Sequence, residues 1–169
     1  VTVSSTKTNL DLTAERFSVS VQHEDFDLNT EHSHLVSDDR GIGAVVAFIG
    51  MVRDLNLADD VVALELEHYP GMTEKTLANI INEARKRWTL QAARIVHRVG
   101  KMHPGDQIVL VLTASPHRGD AYEANMFIMD YLKTEAPFWK KEWTPQGPRW
   151  IEARESDDHA LTKWKKNDL

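Results

Sequence analysis

Apolar and polar residues alternate over residues 16–22 (RFSVSVQ), which predicts a strand. Residues 41–52 (GIGAVVAFIGMV) form instead an unbroken apolar run with β-branched residues, bounded by glycines. It is short for a helix and predicts a strand buried on both faces. Alternation returns over residues 61–68, with Val62, Leu64 and Leu66 on one face and Glu65 and Glu67 on the other. Tyr69-Pro70-Gly71 breaks that strand, and residues 73–88 follow with Leu77, Ile80, Ile81 and Ala84 at the spacing of an amphipathic helix. Residues 93–99 and 107–113 read as two strands joined by a Pro-Gly turn at 102–106. A second long helix is expected over 115–134, then a hairpin of 138–143 and 149–153 around the turn 144–148. Residues 27–38 suggest a short polar helix, 53–56 a loop, and 155–166 a polar helical segment.

These elements mix without a repeat or a linker, so one α+β domain is expected over 16–157. Residues 1–15, polar and aperiodic, are expected as a flexible N-terminal tail, and 158–169 as a polar C-terminal tail. With 169 residues, 41% of them hydrophobic and 27% charged, the chain suits a single globular domain with a real core. No apolar run approaches the roughly 20 residues that span a bilayer. The first residues lack the basic start and apolar stretch of a secretory leader, so a cytoplasmic protein without a membrane role is expected. The net charge of -6 argues against a nucleic-acid partner. The chain has no cysteine, which removes disulfides, thiolate metal sites and a cysteine nucleophile together.

Against that acidic balance, residues 115–142 concentrate cations among aromatics. Ser115 suits an N-cap and Pro116 a first helical position, which places His117 and Arg118 in the first turn. Free N–H groups there favour an anion, although two solvated polar residues at a helix start are an equal reading. Arg118 and Lys133 are separated by about 22 Å if one helix carries both. A small ligand cannot touch both ends, so a shared site requires a second copy of the chain. On the strand that follows, Phe138, Lys140 and Glu142 share one face and Trp139, Lys141 and Trp143 the other. Lys140 and Glu142 then form an acid/base or ion-pair couple, with an amphipathic edge strand bearing solvated lysines as the plain alternative. Arg53 and Arg154 each close a strand, where a solvated end is the ordinary role and an anion site the functional one. The eight histidines follow no metal-ligand spacing, and His97 and His103 are expected to be structural. No phosphate-binding glycine loop and no GxSxG motif occurs.

The segments GAVVAFIGMVRD, LELEHYPGMTEKTL, ASPHRGDAYEANMFIMDYLKTEAPFWKKE and RWIEARESD, in this order over most of residues 41–157, resemble the large, catalytic subunit of molybdopterin synthase. The resemblance implies an α/β hammerhead with an additional antiparallel sheet, and makes 16–157 the catalytic domain. It implies a sulfurtransferase of molybdenum cofactor biosynthesis. Such enzymes convert cyclic pyranopterin monophosphate (precursor Z) to the molybdopterin dithiolene. The sulfur comes from a small ubiquitin-like subunit whose C-terminal Gly-Gly carries a thiocarboxylate. The implied assembly is a homodimer of large subunits within a heterotetramer, and neither a metal nor another cofactor is implied.

By the same resemblance Lys133 and Lys140 are catalytic. Arg53, His117, Arg118, Glu142 and Arg154 bind substrate, with His117 and Arg118 given across the dimer. Met51 stands where members often carry lysine. Two further readings use the same cations: a non-catalytic docking protein for a ubiquitin-like partner, and a phosphate-ester-handling enzyme.

Overall fold

The computed structural model describes residues 16–56, 59–151 and 155–165. Two four-stranded sheets organise them. The first has the order β1 (Phe17–Gln22), β6 (Ala92–Arg98), β8 (Gln107–Ser115), β2 (Ala44–Met51). β1 runs parallel to β6 and the other neighbours are antiparallel. The second sheet, wholly antiparallel, has the order β10 (Gly147–Ile151), β9 (Phe138–Thr144), β5 (Ala63–His68), β7 (Gly100–Met102). A two-stranded pair, β3 (Leu55–Asn56) and β4 (Asp59–Asp60), lies within the expected 53–56 loop region and just beyond it.

The first sheet is covered on both faces, and alternation along β8 shows how. Val109 and Val111 point into a core shared with α2 (Met72–Arg87) and α3 (Arg118–Glu135). Leu110, Leu112 and Ala114 point the other way, against Phe26 and Leu35 from the region of α1 (Leu28–Val36). Leu77, Ile80, Ile81 and Ala84 of α2 are all buried in the first core, as their spacing predicts. Burying a side chain such as Phe127 there stabilises the fold by about 1.5–3 kcal/mol. Polar fastenings complete the packing. Asn125 Nδ2 donates to the carbonyls of Val46 and Val111 at 3.1 and 3.0 Å, which fixes α3 to β2 and β8. Arg94 pairs with Glu31 at 3.0 Å and holds α1 to the opposite face.

Four expectations change. β2 is an edge strand rather than one buried on both faces, and Phe48 and Met51 are exposed. Its apolar run reports composition, whereas the inner place in the sheet goes to β8. Val62 falls before β5 and is exposed, while Leu64 and Leu66 are buried as expected. The long helix begins at Arg118 with His117 as its N-cap. Ser115 is instead the buried last residue of β8, its hydroxyl donating to the Thr89 carbonyl at 2.8 Å. Finally, residues 158–165, expected within a polar tail, are helical as the segment 155–166 suggests but also dock on the first core. α4 (Glu155–Ala160) and α5 (Thr162–Lys165) bring Leu161 and Trp164 into the first core. Trp164 meets Trp88 and Phe127 edge-on, and its indole N–H donates to Asp130 at 2.8 Å. Residues 1–15 and Arg154 lie outside the described residues.

The chain passes from sheet to sheet at Gly100, where φ is +85° and a Cβ would stand 2.8 Å from the His23 ring. Only glycine takes that turn without strain. The crossing sets the inner face of the second sheet against one end of the first.

Candidate functional site

A cavity of about 350 Å³ lies where the sheets meet. One wall comes from the first sheet: the end of β2 with Arg53, the start of β8, and His97 near the end of β6. The second sheet supplies Leu64 and Leu66 from β5 and Phe138, Lys140 and Glu142 from β9. The last turns of α3 close it with Met129, Leu132 and Lys133, and Asp157 stands at the margin.

Local structure explains each placement. The β2–β8 register slips between Gly50 and Met51, so Gly50 faces Val109 and Met51 faces Gln107. Such an irregularity re-aims the residues after it, and Arg53 leaves the strand here, exposed at the cavity wall. A Cβ on Gly50 would come within 2.8 Å of Val109 Cγ1, so glycine permits the close approach. Lys133 lies in the last turn of α3, where the carbonyl end of the helix favours a cation. It is exposed and Lys140 half-buried. The period of two along β9 puts Phe138, Lys140 and Glu142 on the inner face, as the sequence predicts.

Glu142 is buried, at 4% exposure. Its cross-strand neighbour Arg149 donates to its Oε2 at 3.2 Å. A buried carboxylate needs such a partner, so Arg149 belongs to the site that sequence reading missed. Only the β9–β10 register reveals it. Asp157 was likewise missed. The cavity therefore gathers Arg53, Lys133 and Lys140 against Glu142 and Asp157, with Arg149 offsetting Glu142, and is locally cationic on an acidic chain.

His97, expected to be structural, also lines this cavity. Its ring stacks on Phe138 at 3.9 Å between centroids and 19° between planes, and Nδ1 lies 2.8 Å from the Arg98 carbonyl oxygen. Burial, above all, lowers its pKa to about 4. His68, Lys140 and Lys133 act in the same direction, and the backbone bond opposes them. His97 is therefore neutral at neutral pH.

His117 and Arg118 do not reach the cavity of their own chain. Both are exposed at the far end of α3. Asp120, in that first turn, accepts from the Thr89 N–H at 3.0 Å and provides the negative charge the turn favours. Beside it, Gly43 packs against the chain: a Cβ there would meet the Pro116 carbonyl oxygen at 2.1 Å.

Two sheets with a cationic cavity at their junction, lysines on two of its walls, define a protein built to hold an anionic ligand. The MoaE protein family model matches residues 21–135. The chain is 58% identical over 146 residues to the molybdopterin synthase catalytic subunit of Haemophilus influenzae, covering 86% of this chain and 97% of that one. Among solved structures it resembles the molybdopterin biosynthesis MoaE protein of Burkholderia ambifaria. That match has a TM-score of 0.76 and 54% identity, over 88% of this chain and 97% of the other. It also resembles molybdopterin synthase from Staphylococcus aureus, with a TM-score of 0.73 and 34% identity over 82% and 98% of the two chains. The chain belongs to the MoaE protein family.

Proposed function

We propose that this chain is the catalytic subunit of a molybdopterin synthase and acts as a sulfurtransferase. It moves sulfur from the thiocarboxylated Gly-Gly end of a small ubiquitin-like subunit to cyclic pyranopterin monophosphate. The observation that carries this reading is the single cavity in which Arg53, Lys133, Lys140 and Glu142 converge. The donor and the substrate are both anions. Lys133 and Lys140 neutralise the thiocarboxylate and stabilise the oxyanion that forms at its carbonyl. Arg53 holds the substrate phosphate through charge-assisted hydrogen bonds, with Arg154 assigned the same task. Glu142, fixed by Arg149, orients Lys140 from the same strand face.

The separation of His117 and Arg118 from the cavity favours a homodimer within a heterotetramer, in which a second copy supplies these two residues. Mixing Arg118→Ala with Lys133→Ala protein tests this. Mixed dimers regain activity if the site is shared, and stay inactive despite subunit exchange if it is not.

The function itself is tested by combining the purified chain with thiocarboxylated small subunit and precursor Z. Dithiolene product is expected. Its absence supports a phosphate-ester-handling enzyme instead, and full activity of Lys133→Ala reduces the chain to a docking protein.

A further inference from the structure

His97 has no part in the mechanism above, yet its ring lies in the same cavity as both lysines. A carbonyl oxygen only accepts, so the 2.8 Å contact with Arg98 places the proton on Nδ1. Nε2 then keeps its lone pair. The Nδ1 contact is the ring's one hydrogen bond among the described residues, and the stack on Phe138 fixes the ring plane. The site thus holds a pre-oriented neutral acceptor on one wall and two ammonium groups on others.

Resting on the sulfur-transfer reading, the chemistry requires such a group. When a thiocarboxylate sulfur attacks an electrophilic pterin carbon, an oxygen substituent on that carbon leaves with the electron pair of its broken C–O bond. The sulfur becomes bonded to both carbons, as an acyl thioester. Release needs water: a C–O bond forms at the acyl carbon, the C–S bond breaks, and its electron pair leaves with the sulfur as product thiolate. One water proton must be taken up during attack. The other leaves with the carboxylic acid, which ionises to solvent.

We propose that His97 is the base of this step, receiving the water proton at Nε2 while Lys133 and Lys140 stabilise the acyl oxyanion. The proton returns to solvent or to the departing sulfur, so no oxidant or reductant is involved. Among the lining carboxylates, Glu142 is engaged by Arg149, and Asp157 is the competing base. The groups that bear on the ring are Lys133, Lys140 and His68. An anionic ligand beside the two lysines offsets their part of that lowering, while burial, the larger cause, remains.

The test is a single-turnover reaction with thiocarboxylated small subunit and cyclic pyranopterin monophosphate, followed by intact-protein mass measurement. His97→Gln keeps a polar side chain but cannot act as a base at neutral pH. It is expected to slow dithiolene release by about 100-fold or more and to accumulate a subunit–substrate adduct that hydroxylamine cleaves. Asp157→Asn is expected to accumulate none. Parental turnover in His97→Gln, or slowing without adduct, overturns the proposal; adduct in Asp157→Asn alone moves the role there. A parent protein that makes no dithiolene overturns the transferase reading, and the base role with it. Should His97→Gln fail to fold, nitrogen NMR of the parent decides: an unprotonated Nε2 at pH 7 is expected, and a protonated one overturns the assignment.

Discussion

The two sheets solve different problems. The first is sandwiched between helices, and both faces of its inner strands bury apolar side chains. The second is covered on one face only, where it meets the cavity. Its other face carries Trp139 and Trp150 in the open, with Lys101 over Trp143 and Lys141 over Trp150 at 4.5 and 4.7 Å. The larger core lies against the first sheet, which lends the site His97 and the end of β2. The second sheet supplies Lys140 and Glu142, and α3 joins the two: its middle is core and its last turn is site.

That division can be broken by experiment. Phe127→Ala, in the first core, is expected to lower stability by about 3–5 kcal/mol while activity per folded molecule stays near the parent. Parallel calorimetry and turnover check this, and a collapse of specific activity would join what the comparison separates. Lys133→Ala should do the reverse. Product formation is expected to fall about 100- to 1,000-fold with the melting temperature within a few degrees of the parent, because Lys133 is exposed.

Acid sharpens the boundary. His97 titrates near 6.5 when unfolded and about 4 when folded. Its contribution is fully present above pH 6.5 and is lost as pH falls from 6.5 toward 4, a change on the order of 3 kcal/mol. Denaturant titrations across that window should show this loss in the parent and a flatter profile in His97→Gln. The smallest effect belongs to the open face. Lys141→Ala removes exposed cation–aromatic contacts and should cost about 0.5–1 kcal/mol at most, with turnover unchanged.

The sequence made some of this plain and hid the rest for physical reasons. Lys140 and Glu142 were legible as partners of one face because strand periodicity is local. The α2 core stripe was legible for the same reason at helical spacing. Arg149 was not, since it reaches Glu142 only through a cross-strand register. Asn125 fastens β2 and β8 from the middle of α3, across 79 and 14 positions of sequence. His97 looks, residue by residue, like any histidine on a buried strand; its role depends on Phe138 and two lysines brought from beyond position 130. The apolar run of β2 misled because hydrophobic content does not say which strand lies at the edge. Leu161 and Trp164 were hidden as isolated apolar residues in a charged segment.

Those two residues also set an order of events. Trp164 closes over Trp88 and Phe127, and Arg87 donates to its carbonyl at 3.0 Å. A ribosome making this chain delivers both sheets, α2 and α3 before that aromatic cluster can shut. Until then the helices α2 and α3 carry an open, oily seam. Messages cut short upstream of residue 161 therefore yield products that chaperones and proteases can recognise by what the last turn should have covered.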